Sequence, residues 1–411
     1  MEKDLIPFGI VKAWNPDYIK INMFYLKEQR DIIDAFFSDA GEYDTLLESL
    51  GIFFEREILP DAKRIDQEEI FPRHSLRRSA EKGIMAIPFP KTLGGLGLPL
   101  PIYVAALEML AKACANTALQ VDVQNMVCEG IRLFGDDRQR NEYLIRNSLA
   151  EGKKFIAFAL TEPCCGSDAK AIQTKAVISG DTYILNGYKT LITNPGEADF
   201  VLVFARADKG ISAFLVPGET PGFEVTGVIP KLGFKGNKLS AIRLKDCSVP
   251  REDLLGEEGQ GLEYAKQMLN AGRLSIAAIA VGIAQAAYEK ALAYSKKRKA
   301  FGESISDFQM IQEKLADMVT AINAARLLTY HAAYLRSKGE ESASQISQAK
   351  LLSSETALRV CDNAIQIYGG YGYTDGFDVH RHWRDARMLT IVEGTSDIMR
   401  LLISHLELKR H

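Results

Sequence analysis

The hydrophobic pattern of the sequence changes its period twice along the chain. Up to about Ala150, runs such as PIYVAALEMLAKACANTALQ repeat apolar residues at three- and four-residue spacing, which predicts amphipathic helices. From Phe155 to about Gly256, segments such as DFVLVFARAD alternate β-forming and polar residues between turn signals, which is typical of antiparallel strands. From Gly261 the helical period returns. The pattern therefore predicts an α+β protein in the order helices, sheet, helices.

The length of 411 residues indicates two or three structural units rather than one simple core. We expect an N-terminal extension over residues 1–30, a helical domain over 31–153, a β-domain over 154–257 and a C-terminal helical domain over 258–411. Small side chains crowd residues 277–287, where they would let neighbouring helices approach closely.

Composition excludes several classes of partner and site. A net charge of -3 gives no electrostatic reason to expect nucleic acid or an anionic membrane as the main partner. The N-terminus mixes acids and bases without a long apolar run, so it resembles neither a secretory signal nor a transit peptide. The six cysteines form no CxxC pair, and His380 and His382 would lie on different faces of a helix. We therefore expect a soluble cytoplasmic protein with reduced thiols and no metal.

Four segments carry residues suited to chemistry, and each also has an ordinary structural interpretation. Ala159–Asp168 (ALTEPCCGSD) could place hydroxyls and free amides against a flat heterocycle, or could simply join two strands. Leu185–Asn194 (LNGYKTLITN) by itself predicts a β-hairpin with an Asn-Gly turn. Arg298–Gln309 (RKAFGESISDFQ) either grips a diphosphate through its arginine or ends a helix with basic residues. Val392–Met399 (VEGTSDIM) presents Glu393 as a base or as a surface acid before a helix cap.

Common nucleotide-binding motifs are missing from the sequence, since GGYGYTDG lacks the third glycine of GxGxxG and no GxxxxGK[ST] loop occurs. In their order, spacing and context, however, the four segments resemble the acyl-CoA dehydrogenase family from about Leu26 to Leu408. KLGFKGNKLSAIRLKDCSVP, QIYGGYGY and VEGTSDIMR add to the resemblance. It implies that family's fold: an N-terminal helical domain, a middle antiparallel β-domain and a C-terminal four-helix bundle.

The resemblance also implies a reaction, the FAD-dependent removal of two hydrogens from Cα and Cβ of an acyl-CoA to give the 2-enoyl-CoA. Glu393 matches the family's base, and burial under the acyl chain would raise its pKa toward neutrality. The hydride would pass from Cβ to flavin N5. Some relatives place the base on the helix just before the position of Arg273. This chain has Ala271 and Gly272 there, so no second carboxylate competes with Glu393 for the role of base. Electron-transferring flavoprotein is the implied acceptor, and a homotetramer the implied assembly.

By the same resemblance, the positions expected to contact FAD and substrate form several groups. The positions expected around the flavin ring are Phe158, Leu160, Thr161, Gly166, Ser167, Leu191 and Thr193. Those expected to reach the adenine and pyrophosphate half from a neighbouring subunit are Arg298, Phe301, Gln309, Gln366 and Gly370. Those expected near the pyrophosphate are Thr395 and Asp397, and those expected to border the substrate are Ser167, Arg273 and Gly394.

Three departures from the family pattern leave the acyl group undefined: Leu191 stands where tryptophan is usual, Val392 where tyrosine is frequent, and Cys164-Cys165 where smaller residues are usual. An acyl-CoA oxidase would keep the glutamate, so the sequence leaves that alternative open. A decarboxylating dehydrogenase would need a cation for the distal carboxylate, and the sequence identifies none. A non-catalytic nucleic-acid-binding relative would have a basic patch, which the net charge disfavours.

Overall fold

The computed structural model describes residues 27–36 and 41–410, so most of the predicted N-terminal extension, residues 1–30, lies outside the described residues. Along the described chain a set of helices is followed by a sheet and then by longer helices. This order confirms the α+β class predicted from the change of hydrophobic period.

The helices before the sheet are interrupted where the sequence cannot continue them. They are α1 Lys27–Phe36, α2 Gly41–Phe53, α3 Ala62–Gln67, α4 Arg73–Glu81, α5 Leu100–Ala113, α6 Ala115–Phe134 and the single turn α7 Asp137–Gln139. The segment between α4 and α5 is rich in proline and glycine, which break helices. Cys114 adopts an extended conformation between α5 and α6. Both of these helices are buried almost along their whole length.

Seven strands form one mixed sheet. They are β1 Ile156–Ala159, β2 Lys175–Ser179, β3 Thr182–Thr193, β4 Phe200–Ala207, β5 Gly210–Pro217, β6 Phe223–Val228 and β7 Leu239–Pro250. The strand order is β1-β4-β2-β3-β7-β6, with β5 paired to β4. Most pairs are antiparallel as predicted, but β1 and β2 each pair with β4 in parallel. The alternating pattern of a strand does not indicate whether its neighbouring strands are parallel or antiparallel, because a strand of either direction can pair with the same alternating sequence.

The predicted hairpin at Asn186-Gly187 is wrong, because β3 runs straight through these residues. The pairing of β3 with β7 has an irregularity between Leu185 and Gly187 instead. A Cβ atom on Gly187 would lie 2.4 Å from Thr174 Oγ1, so glycine is needed here for close packing rather than for a turn. The turn before β3 falls at Gly180, whose φ is +58°.

The C-terminal part is built from long helices, together with a short hairpin of β8 Lys299–Ala300 and β9 Glu303–Ser304. The helices are α8 Gly261–Lys297, α9 Gln309–Ser337, α10 Ala343–Tyr368, α11 Val379–Leu389 and α12 Ser396–Arg410. Helix α8 packs against α5, α6, α9 and α10, while α11 and α12 pack against α10. Among the described helices, α8 is long and apolar enough to cross a membrane by length and composition, but most of its apolar stretch is buried in the protein. It is therefore the central core helix.

A buried polar network joins α5, which precedes the sheet in the sequence, to α8 and α9, which follow it. Glu108 on α5 accepts from Arg326 Nε on α9 at 3.0 Å, and its other oxygen accepts from the Tyr330 hydroxyl at 3.1 Å. Arg326 also donates to Gln285 on α8 at 2.8 Å. The side chains of the ion pair are only 1% and 3% exposed, so each charge depends on its partner for stabilisation.

We expect Glu108→Gln to destabilise the protein by about 3–5 kcal/mol, because it leaves the Arg326 charge buried without a counter-ion. Urea denaturation monitored by circular dichroism measures the loss. The matched control is Glu263→Gln, which removes an exposed ion pair with Lys266 and should cost less than about 1 kcal/mol. Equal midpoints for the two variants would contradict the role assigned to the buried pair.

Candidate functional site

Glu393 lies in a strained turn between α11 and α12. Its φ is +54° and that of Gly394 is +106°, so two consecutive residues occupy conformations with positive φ. A side-chain-bearing residue rarely adopts such a conformation, and those that do cluster at functional sites. A Cβ atom on Gly394 would lie 2.6 Å from Met399 Cε, which adds a packing reason for glycine after Glu393.

Two cationic side chains from different helices hold the backbone of this turn. Arg273 on α8 donates from Nε to the Glu393 carbonyl at 2.9 Å, and Lys350 on α10 donates from Nζ to the Gly394 carbonyl at 2.6 Å. On the other side, Thr395 Oγ1 accepts from the backbone N–H of Ile398 at 3.2 Å and caps α12. The turn is therefore fixed by three helices, which offset its backbone strain.

The Glu393 carboxyl group is directed toward Gly272 on α8. A Cβ atom at Gly272 would lie 2.4 Å from Glu393 Oε2, so glycine leaves the room that this carboxyl group occupies. Oε2 is sealed from solvent and has no well-formed hydrogen bond within the described part of the chain. Burial raises the pKa of Glu393 to about 7, although Asp122, Lys350 and Arg273 oppose the increase. The sequence indicates only that Gly272 provides no second carboxylate at this position. The structure shows that Gly272 also has a steric role, because it leaves room for the Glu393 carboxyl group.

Asp122 on α6 is a site residue that the sequence analysis missed. It is fully buried, and its pKa is raised by burial and then by the negative charge of Glu393. Lys350 was missed as well, and burial lowers its pKa to about 8 while the charge of Glu393 opposes this. Both lie inside helices that are otherwise ordinary in sequence. Only a buried polar residue within an apolar helix could have indicated them, and that signal does not specify a partner.

The first two predicted flavin segments meet in the sheet. The backbone N–H of Thr190 on β3 donates to the Thr161 carbonyl after β1 at 3.0 Å. Below this contact, Lys189 Nζ donates to Glu162 Oε1 at 2.7 Å in a fully buried ion pair. Leu191 is left 53% exposed with a φ of +56°, which presents its side chain away from the core.

The remaining residues of the first loop divide by exposure. Gly166 and Ser167 are exposed, Phe158 and Thr161 are half-buried, and Leu160 is buried in the core. The Leu160 carbonyl accepts from Lys189 Nζ at 3.1 Å, so this residue is committed to holding the loop. A ligand would meet the hydroxyls and free backbone of the loop rather than the Leu160 side chain.

Helix α6 connects this surface to Glu393. Asn194, directly after the half-buried Thr193 at the end of β3, donates to Gln120 Oε1 at 2.7 Å. Asp122, which acts on Glu393, lies two residues further along the same helix, a rise of about 3 Å. The end of β3 and the candidate base therefore interact with two residues of α6, Gln120 and Asp122, that lie two positions apart.

A second group of predicted residues lies far from Glu393 within one chain. Its members Arg298, Phe301, Gln309, Gln366 and Gly370 follow α8, begin α9 or end α10, and all are exposed. The Arg298 guanidinium lies 5.7 Å from the centre of the Tyr371 ring, and the Phe301 side chain is 97% exposed. Arg273 lies within α8 and Arg298 directly follows its last residue, so the two are 25 residues apart, which corresponds to about 37 Å along the helix axis.

Next to the Glu393 turn lies a groove of about 770 Å³ between α10, α11 and α12. It contains two of the predicted pyrophosphate residues, Thr395 and Asp397. Ser396, the first residue of α12, also lines it and keeps its buried hydroxyl without a hydrogen bond among the described residues. A helix N-terminus with an unpaired hydroxyl suits an anionic group.

The sequence matches all three parts of one enzyme family. It matches the acyl-CoA dehydrogenase N-terminal domain over residues 41–152, the middle domain over 157–247 and the C-terminal domain over 259–406. The chain is 40% identical over 374 residues to the short-chain specific acyl-CoA dehydrogenase of Clostridium acetobutylicum, covering 90% of this chain and 98% of that protein. The chain therefore belongs to the acyl-CoA dehydrogenase family and is an oxidoreductase.

Solved structures agree with this assignment. Butyryl-CoA dehydrogenase from Megasphaera elsdenii superposes with a TM-score of 0.85 at 36% identity, covering 95% of this chain and all (100%) of that one. A chain in the structure of the electron-transferring flavoprotein of Acidaminococcus fermentans gives a TM-score of 0.86 at 38% identity, with 95% and 100% coverage.

FAD is the cofactor, since solved structures of this family hold it. The residues described above fit such a group. The exposed Leu191 and the hydroxyl-rich loop at Thr161 could cover the ring, and the unpaired hydroxyl of Ser396 at the start of α12 could bind a phosphate oxygen.

We expect Gly272→Ala to displace the Glu393 carboxyl group, because the new methyl group would occupy its position. A side-chain end can move at little cost, so the melting temperature should stay close to that of the unchanged protein. If Glu393 is the base, the rate of anaerobic flavin reduction by an acyl-CoA should fall by about 10²-fold, as for a small displacement of a reacting group. Gly376→Ala is the control, because the nearest atom to its added Cβ would lie 3.8 Å away. An unchanged rate in Gly272→Ala would disprove the steric role.

Proposed function

We propose that the chain catalyses the α,β-dehydrogenation of a short-chain acyl-CoA thioester, with Glu393 as the base that removes the α-proton. The observation that carries this proposal is the Glu393 carboxyl group, whose Oε2 is sealed from solvent without a well-formed hydrogen bond among the described residues and whose pKa burial raises to about 7. A base with a pKa near the working pH is suited to proton transfer. The names of the relatives, short-chain and butyryl-CoA dehydrogenases, support a short acyl group.

The residues of this chain would hold and deprotonate the substrate. Glu393, as the carboxylate, takes the α-proton, so the Cα–H bond breaks and the carboxyl group becomes neutral. Its buried environment favours this step, because desolvation penalises the charged form. Arg273 and Lys350 keep the carbonyls of Glu393 and Gly394 in place during the transfer. Bound FAD would supply the acceptor for the hydride that leaves Cβ, which would allow the double bond to form between Cα and Cβ.

The thioester would approach this base from the side of the first loop. The exposed Ser167 is proposed to border the CoA path, and Arg273 and Gly394 to border the thioester beside Glu393. The Thr161 loop and Leu191 would hold the ring of FAD. We also propose that the β-domain spans residues 154–257, as the sequence predicts.

A symmetric oligomer would complete the cofactor site. The separation of about 37 Å between Arg273 and Arg298 along α8 exceeds the diameter of a small domain. Residues near Arg273 and residues near Arg298 therefore cannot bind the same ring system within one chain. Arg298, Phe301, Gln309, Gln366 and Gly370 would therefore serve the FAD of a neighbouring subunit, in the homotetramer that the family resemblance implies. The exposed Phe301 supports such a contact.

Electron-transferring flavoprotein is the proposed electron acceptor, in line with the family resemblance and with the structure named for that protein. We also propose that the enzyme is soluble and cytoplasmic, and the burial of the apolar stretch of α8 in the core supports its solubility. Admitting air to the reduced enzyme separates a dehydrogenase from an oxidase, because rapid release of peroxide would indicate the oxidase.

We expect Glu393→Gln to bind FAD with its normal absorption spectrum but to lose activity. Flavin bleaching by butyryl-CoA in a stopped-flow spectrophotometer should slow by about 10²–10⁴-fold, the usual contribution of a general base. Glu340→Gln, which changes an exposed acid in the loop after α9, is the control and should bleach at the normal rate. A rate in Glu393→Gln close to normal would show that the base has been assigned to the wrong residue.

The pH dependence should follow the ionisation of Glu393. Only the carboxylate accepts a proton and the pKa is raised to about 7, so activity is present above this pH and is lost as the pH falls through it. Between about pH 5 and 9, kcat/KM for flavin reduction should rise about tenfold per pH unit and then level off. A profile that is flat across this range would be incompatible with the proposed base.

A further inference from the structure

Two adjacent cysteines lie in the loop that follows β1, at positions where the family resemblance leads us to expect smaller residues. Cys164 is exposed and Cys165 is buried, and their sulfur atoms lie 3.5 Å apart. All six cysteines of the chain lie within the described residues and are free thiols. The mechanism proposed above uses neither Cys164 nor Cys165. We name this pair the loop dithiol.

The backbone around the loop dithiol forms a tight turn. The N–H of Glu162 donates to the Cys165 carbonyl, and the N–H of Cys165 donates to the Glu162 carbonyl, both at 3.1 Å. Pro163 and Cys164 are the two residues between these hydrogen bonds. Because the turn restrains the backbone of both cysteines, mainly side-chain rotation changes the distance between their sulfur atoms.

A metal ion is one alternative use of these side chains. The two sulfur atoms and a carboxylate oxygen of Glu162 lie within 4.8 Å of one another. However, Glu162 Oε1 already accepts from Lys189 Nζ at 2.7 Å and from the N–H of Thr174 at 3.0 Å. Its Oε2 accepts from the N–H of Gln173 at 2.6 Å. A structural zinc site needs four ligands, and two thiols do not supply them. The pair is therefore better suited to thiol chemistry than to a metal.

The two thiols differ in how an oxidant can reach them. Susceptibility to oxidation follows thiolate character and exposure. Cys164 is exposed, so a small oxidant can reach its sulfur atom. Cys165 is 6% exposed, and burial, followed by the neighbouring Cys164, raises its pKa to about 11. An accessible cysteine beside a second cysteine is the arrangement typical of redox-sensing sites. Cys164 is therefore the thiol that reacts first, and Cys165 is the one that resolves the product.

We propose that Cys164 and Cys165 form a site of reversible oxidation, where hydrogen peroxide converts the two thiols into a disulfide between adjacent residues. The Cys164 sulfur attacks one peroxide oxygen, the O–O bond breaks, and a sulfenic acid and one water form. The Cys165 sulfur then attacks the Cys164 sulfur, so an S–S bond forms and the S–O bond breaks. The leaving hydroxide takes the Cys165 proton as a second water. The thiols lose two hydrogens and two electrons, and the peroxide gains them.

The geometry of adjacent residues makes this oxidation reversible. Neighbouring Cα atoms are about 3.8 Å apart across a trans peptide, whereas the Cα atoms of disulfides are usually about 4.4–6.8 Å apart. A bond between Cys164 and Cys165 would therefore be strained and easily reduced. Strained or exposed disulfides are the labile and regulatory ones, while structural disulfides resist reduction.

Formation of the disulfide would also change the loop that the flavin is expected to contact. The sulfur atoms must approach from 3.5 Å to about 2 Å. Glu162, before the pair, is held by its buried ion pair with Lys189 and resists displacement. The exposed Gly166 and Ser167 follow the pair directly, so they take up the change. Both are expected to contact FAD, so this consequence rests on the proposed function.

Mass spectrometry tests the bond directly. Trypsin releases residues 155–170 as one peptide that contains both cysteines. The FAD-loaded enzyme is treated with a small excess of hydrogen peroxide and then unfolded in an alkylating reagent. The peptide should be lighter by two hydrogens and carry no alkyl group, and dithiothreitol before alkylation should restore two alkyl groups. The internal controls, which should stay alkylatable, are the buried cysteines Cys114, Cys128, Cys247 and Cys361.

Two outcomes of this measurement would overturn the inference. One is a peptide that still carries two alkyl groups after peroxide treatment. The other is oxygen added to Cys164 while Cys165 remains alkylated, since the second thiol would then not resolve the first. Cys164→Ser and Cys165→Ala each remove one sulfur atom, so neither variant should give the peptide that is lighter by two hydrogens.

The rate of flavin reduction tests the consequence for the site. In the unchanged enzyme, peroxide should slow flavin reduction by butyryl-CoA at least about tenfold, because small displacements at a binding loop have large effects on rate. Dithiothreitol should restore the rate. Cys164→Ser changes an exposed side chain, so it should start at the normal rate and keep that rate after peroxide. An equal loss of rate in Cys164→Ser would show that peroxide acts elsewhere.

Failure of the inference can be distinguished from failure of the proposed function. The peptide mass needs no turnover, and the absorption spectrum of bound FAD should shift when the disulfide forms. If no acyl-CoA bleaches the flavin, the proposed function fails, and the peptide mass and the FAD spectrum still decide the inference. An unchanged rate and spectrum in enzyme that carries the disulfide would disprove its effect on the flavin site.

Discussion

The strained turn at Glu393 is the constraint on which the rest of the site depends. A glutamate at φ +54° followed by a glycine at φ +106° would not hold this conformation by itself. It persists because Arg273 and Lys350 donate to the two carbonyls of the turn from α8 and α10. Since these helices belong to the central core, the direction of the Glu393 carboxyl group is determined by the packing of the whole C-terminal part.

Helix α6 extends this constraint to the sheet. Gln120 accepts a hydrogen bond from Asn194 at the end of β3. Two residues further along the helix lies Asp122, whose pKa is raised by burial and then by the charge of Glu393. A shift of α6 along its axis would therefore move the surface near Leu191 and the polar surroundings of Glu393 together. Burial of almost every residue of α6 resists such a shift, because close-packed interiors transmit displacement rather than absorb it.

The fold was largely predictable from the sequence because the signals that define it are local. The change of hydrophobic period marks where helices give way to strands, and the proline- and glycine-rich segment before α5 marks a break. The Asn186-Gly187 pair was misread as a turn, because its glycine is required by the approach of Thr174 from another segment. The parallel pairing of β1 with β4 also depends on residues distant in sequence, which no local pattern reports.

The site was predictable only in part, for a related reason. Glu393 was found through the motif around it, whereas Asp122 and Lys350 come from the interiors of α6 and α10. Their importance arises when three helices meet, and helical periodicity predicts that a position is buried but not which side chain it will face. The packing of these helices also explains why Gly272 leaves space for the Glu393 carboxyl group. The position of Gly272 in the sequence of α8 does not indicate this role.

The raised pKa of Glu393 also has a cost for stability that helps to explain the surrounding architecture. Its pKa is about 7 in the folded protein and 4.5 as the ordinary value, so the folded state holds the proton more tightly than the unfolded state. Stability from this group is therefore full below its unfolded pKa and declines as the pH rises toward 7. At neutral pH the folded protein carries a partly ionised, poorly solvated carboxyl group next to Asp122. Lys350 and Arg273 oppose this cost electrostatically, so the cations that fix the turn also make a buried glutamate at this position compatible with a stable fold.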